Sequence, residues 1–148
     1  MTSDPTRGHP GTAKPFDANT SGQRATGNQL SPAEERTWMV LAHLSAPIAA
    51  ILTAGWLSLL GPLIVWALFK NRSAKVRQAA ASAFNFNLAF WMLYLVGWIL
   101  VFTVIGIPVA LLIWAVIFVV SLVCHLIGVV RALNGEVYRY PFGIPILR

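Results

Sequence analysis

Acidic side chains are the scarcest feature of this 148-residue sequence: Asp and Glu together number 5, against 11 Lys and Arg. Charged residues of both signs make up only 11% of the chain, well under the roughly 25% usual in soluble domains. So little charge cannot cover the surface of a soluble globule of this size. The single cysteine, Cys124, allows no internal disulfide. There is no HExxH, no Gly-rich phosphate loop and no pair of carboxylates placed for acid–base work. Two histidines in the apolar runs fall short of the three or four ligands a metal site usually needs. These absences exclude an ordinary soluble enzyme, a zinc module and a disulfide scaffold. No catalytic, cofactor-binding or metal-binding residue is assigned, and no cofactor is expected.

Long uncharged runs are what the sequence has instead. No Asp, Glu, Lys or Arg occurs from Thr37 to Phe69, or from Gln78 to Val130. About 20 apolar residues already suffice to cross a bilayer. The expected fold is all-α: a multi-pass helical membrane protein with a small bundle of four hydrophobic helices. The basic residues lie outside these runs, in three groups. Arg7, Lys14, Arg24 and Arg36 precede the first run, Lys70, Arg72, Lys75 and Arg77 separate the two, and Arg131, Arg139 and Arg148 follow the second. That pattern fits the positive-inside rule and attraction to anionic head groups near the basic loop, not a nucleic-acid surface.

Residues 1–30 read as a disordered cytoplasmic tail, rich in Pro and Gly and poor in large apolar residues. Ser31-Pro32-Ala33-Glu34 has capping-box spacing, with proline where its missing N–H is harmless. A transmembrane domain is expected over residues 31–133, with segments at about 38–54, 59–69, 79–103 and 108–130. The first two should form a short hairpin, because Gly55 and Gly61-Pro62 interrupt a run too long for one crossing. Gly106-Ile107-Pro108 divides the second run. Residues 134–148 are expected to lie along the membrane interface, with Tyr138, Tyr140 and Phe142 as aromatic anchors. An even number of spans brings all three basic groups to one face and both termini to the cytoplasm, at the plasma membrane. A three-span arrangement would make the first run a single crossing and leave the N-terminus outside.

Polar residues inside the apolar segments fall at matched depth. His43, Asn85, Asn87, Ser121 and His125 form a candidate intramembrane polar cluster. Such a cluster could bind a head group, a water chain or a polypeptide; in the alternative, each group is satisfied locally and only holds helices together. Ala42, Ala46, Ala50 and Ala54 repeat every fourth residue and form a candidate helix-packing stripe. Ser121, His125, Gly128 and Ala132 make a similar narrow face near the C-terminal end of the last helix, and the two faces are expected to meet. The alanine stripe could instead serve a homodimer.

Several fragments carry a family likeness: Glu35-Arg36-Thr37-Trp38-Met39-Val40-Leu41-Ala42-His43-Leu44-Ser45, Gly61-Pro62-Leu63-Ile64-Val65-Trp66, Ala83-Phe84-Asn85-Phe86-Asn87, and Asn134-Gly135-Glu136-Val137-Tyr138-Arg139-Tyr140-Pro141. Together they resemble a bacterial domain-of-unknown-function family of small membrane proteins, grouped with the twenty-kilodalton Tic import component of chloroplasts. The resemblance implies a compact helical membrane protein and no assigned catalytic residue. Two function classes follow. One is a structural or accessory subunit with membrane lipids, a membrane-protein partner or further copies of itself as partners. The other is a channel or protein-translocation component.

Overall fold

The computed structural model describes residues 29–148. The tail expected over residues 1–30 therefore falls, but for Gln29 and Leu30, outside the described residues. Four helices follow in order: α1 (Pro32–Leu52), α2 (Leu60–Phe69), α3 (Ala74–Val101) and α4 (Gly106–Leu133). No strand occurs among the described residues.

The helix ends follow from local chemistry. Ser31 Oγ accepts the Glu34 N–H at 3.3 Å, and Glu34 Oε2 accepts the Ser31 N–H at 2.8 Å, closing a capping box. At the other end of α1, Ala54 takes a left-handed φ of 50°, and the Gly55 N–H reaches back to the Ala50 carbonyl at 2.7 Å. This is a Schellman-type stop with alanine where glycine is usual. Ala54 is thus exposed in the turn, and the alanine stripe ends at half-buried Ala50. Ser73 caps α3 through the Val76 N–H, and its hydroxyl donates to Glu35 of α1 at 2.6 Å. Helix α3 begins five residues before the apolar stretch expected at 79–103. The apolar run marks where charge is missing, whereas the cap sets where the helix starts.

Helix α1 packs on all three others, and so does α3; no contact joins α2 to α4. The first apolar run is two helices packed on each other rather than one. Their backbones come very close: a Cβ on Gly61 would lie 2.6 Å from the Ser45 Cβ. At one end, Met39, Ala42, Val65, Phe69, Val76, Ala79, Ala80 and Ala132 form a core drawn from all four helices. At the other end, Trp56 of the hairpin turn packs against Tyr94 and Trp98 of α3, with ring centroids 5.8 and 6.3 Å apart. Trp114 of α4 stands 5.1 Å from Trp98. The hairpin therefore runs along nearly the whole of α3.

Helices α3 and α4 are each 28 residues long, about 42 Å at 1.5 Å per residue. Both are long and apolar enough to cross a membrane. The most apolar stretch of each is only 22% and 11% buried, so neither behaves as the core helix of a soluble protein. Leu112, Phe118, Val119, Leu126 and Val130 of α4 all point outward. Such a large exposed apolar surface marks contact with lipid or another protein.

Ala46 is fully buried in α1, while Leu52 is 78% exposed. Replacing Ala46 with Leu should cost about 1–3 kcal/mol through overpacking, and Leu52→Ala should change little. Unfolding of the purified protein in mixed micelles checks this; equal tolerance at both positions would mean that α1 packs loosely there.

Candidate functional site

Buried polar groups in an apolar bundle need partners, and here the partners come from four separate stretches of chain. His43 of α1 is fully buried. Its ring lies against Gly128 of α4, where an added Cβ would come within 2.8 Å of Nδ1. Glycine at that position lets the imidazole sit between the two helices. The same Nδ1 is 2.9 Å from the hydroxyl of Tyr140 in the C-terminal segment. His43 Nε2 has no partner among the described residues.

His125 of α4 is also buried. Its Nδ1 is 2.7 Å from the Ser121 carbonyl, which can only accept, so that nitrogen carries the proton. Nε2 is then a bare acceptor, and the Asn87 amide nitrogen of α3 donates to it at 3.2 Å. The same amide donates to the Ala83 carbonyl at 2.8 Å. Donor and acceptor roles are consistent around the ring with a neutral imidazole. Ser121 Oγ lies 3.3 Å from Nδ1.

Tyr140 joins the two histidines. Its ring centroid is 5.6 Å from His43 and 5.3 Å from His125, and it stacks on Phe86 at 4.4 Å. Its backbone N–H donates to Ser82 Oγ at 3.1 Å. Burial pushes the Tyr140 phenol well above its usual range, with Cys124 and then Tyr138 adding in the same direction. The phenol therefore stays protonated.

Asn85 does something different from Asn87, two residues on. Its side-chain oxygen accepts the N–H groups of Ile146 and Leu147 at 3.1 and 2.9 Å, and its amide donates to the Leu147 carbonyl at 2.9 Å. The Asn85 carbonyl accepts the Ile144 N–H at 3.2 Å. Asn85 thus straps the C-terminal segment across α3 and bonds to neither histidine. Of the expected cluster, the structure brings His43, Asn87, Ser121 and His125 into one neighbourhood and places Asn85 at its edge. Tyr140 was missed as a member. Its only sequence signal is an aromatic residue between Arg139 and Pro141 after the last helix. The two small-residue faces do meet: Ala42 and Ala132 share one core, and Gly128 receives His43.

The arrangement holds side chains rather than exposing them. No group of three or more His, Cys, Asp or Glu converges among the described residues. Residues 34–147 match the MamF/MmsF family, the Magnetosome magnetite crystal formation protein family. The chain belongs to this family. Membership of MamF/MmsF corrects the resemblance to the family grouped with the Tic import component. The fragments quoted for that resemblance fall within the matched span, three of them inside helices and one after the last helix, where short apolar stretches with small residues recur. Small helical bundles of different families share such stretches. No curated protein and no solved structure matches the chain at a significant level.

Replacing Asn85 with Ala removes three hydrogen bonds to the segment at 146–147, each worth about 0.5–1.5 kcal/mol net. The variant should lose about 1–3 kcal/mol and become sensitive to trypsin after Arg139. Asn87→Ala should lower stability without freeing the segment. Limited proteolysis in detergent reads the difference, and an Asn85→Ala chain as resistant as the parent would contradict the strap.

Proposed function

We propose that this chain is a non-enzymatic accessory protein of magnetite crystal formation, held in the magnetosome membrane by four apolar segments with both termini cytoplasmic. The observation that carries this reading is the family match over residues 34–147. The family description favours the magnetosome membrane over the plasma membrane expected from the sequence. With the Tic resemblance corrected, the protein-translocation reading loses its family basis.

The charge distribution supports the orientation. Glu35 meets both Ser73 and Lys75, and Arg36 lies beside Gly135. The start of α1, the loop before α3 and the end of α4 therefore sit at one end of the bundle, and every described Lys and Arg belongs to these stretches or to the C-terminal segment. The turns at the opposite end carry no charge. The positive-inside rule then assigns the basic end to the cytoplasm.

The carboxylates support an accessory role over direct mineral contact. Among the described residues, Glu34 is engaged by Ser31, Glu35 by Ser73 and Lys75, and Glu136 by Arg131. The Ser31 hydrogen bonds hold the Glu34 carboxyl below its ordinary range. A carboxylate that already holds a partner must give up that bond to take a metal ion. The large apolar girdle of α3 and α4 is what the protein offers to its surroundings.

In a magnetite-forming host lacking its own copy, the chain should co-purify with magnetosome vesicles and restore crystal size measured by electron microscopy. Reporters fused at residues 1 and 148 should both read as cytoplasmic. Crystals unchanged by the chain would contradict the role. An N-terminal reporter on the far side would contradict the orientation alone.

A further inference from the structure

We propose that the cleft between α3 and the C-terminal segment binds the phosphate of an anionic phospholipid. The cleft has a volume of about 520 Å³ and is lined by Arg77, Arg139 and Arg148, with the polar side chains of Ser82 and Asn85 on its wall. No acidic side chain among the described residues lines it. Neither Arg77 nor Arg139 forms a salt bridge among the described residues. Arginines that border one cleft with no acidic side chain beside them favour an anion, and a phosphate accepts forked hydrogen bonds from guanidinium groups.

Depth selects a lipid. Arg77 stands one residue before the uncharged run, and Asn85 lies eight residues further along α3, about 12 Å on at the helical rise. The cleft therefore covers the passage from charged to apolar surface, where head groups sit. The segment that forms its other wall exposes Phe142 and Ile146 outward. One occupant can place its phosphate against the arginines and its acyl chains along these side chains. Free inorganic phosphate satisfies only the first.

This site differs from the basic loop expected to attract head groups. That loop borders a second cleft, lined by Lys70, Lys75 and Arg77 among others, which also contains Glu35. Glu35 already holds Lys75 at 3.8 Å. Arg139 and Arg148 belong to the first cleft alone.

The inference rests on the membrane reading above, and its test separates the two. The full chain is purified in mild detergent, mixed with equal phosphatidylglycerol and phosphatidylcholine, and weighed by native mass spectrometry. The parent should retain phosphatidylglycerol over phosphatidylcholine. The Arg77→Gln, Arg139→Gln pair should lower that retention about tenfold or more, while Lys70→Gln, Lys75→Gln, with the same loss of charge, should leave most of it. Both arginines are exposed, so the variant should fold; circular dichroism and unfolding in micelles verify this, and Arg77→Lys, Arg139→Lys should recover part of the binding. Equal loss in both Gln pairs would mean general surface attraction and overturn the site, as would no loss in either. Inorganic phosphate that displaces phosphatidylglycerol at equal concentration would overturn the lipid in favour of a free anion. Failure of the reporter fusions with selective retention intact would count against the orientation and not the site.

Discussion

A buried imidazole in an apolar bundle must find a hydrogen-bond partner, and His43 finds its partner outside the helices. Leaving a polar group unpaired in such surroundings costs about 1–3 kcal/mol by mutational estimates. Hydrocarbon also gives helices no hydrophobic reason to prefer one neighbour over another. Packing and polar pairing then decide the arrangement. Tyr140 supplies the hydroxyl for His43, lies against His125 and stacks on Phe86. Asn85 and Ser82 hold the chain that delivers it. The C-terminal segment is in this sense part of the bundle, although it contains no helix.

Much of the scaffold can be read from residues in order along the chain. The Ser31 capping box, the break near Gly55 and the turn before Pro108 are local, and local chemistry decides them. Small residues at helical spacing identify the faces of α1 and α4 that meet. Two things resist such reading. Asn85 and Asn87 look equivalent, but on a helix two positions apart they face different ways: one holds the C-terminal segment and the other pairs with His125. Tyr140 lies 97 residues from His43, and nothing in its own neighbourhood announces the contact. Ala54 shows a third difficulty. It continues the four-residue alanine spacing, but the helix stops before it in a left-handed turn.

The same features connect fold to role. Most polar groups at the bundle's centre are spent on each other and on the C-terminal segment, His43 Nε2 being left without a partner among the described residues, and the described carboxylates on caps and loops. What remains outward is an apolar girdle and, at one end, a basic rim. The chain belongs to the magnetosome magnetite crystal formation family, and the accessory role proposed above would draw on this outward surface. The cleft is lined in part by Tyr140 and by the segment that closes the polar centre. A lipid phosphate bound there would reinforce that closure, since any ligand of the folded state stabilises it.

The account stands on the coupling between His43 and Tyr140. A double-mutant cycle with His43→Leu and Tyr140→Phe, read as SDS-driven unfolding in mixed micelles, measures it directly. Each single substitution should destabilise the protein, and the pair should cost less than their sum by about 0.5–3 kcal/mol. Strict additivity, with Tyr140→Phe as stable as the parent, would show that the C-terminal segment does not close the polar centre and would contradict the account.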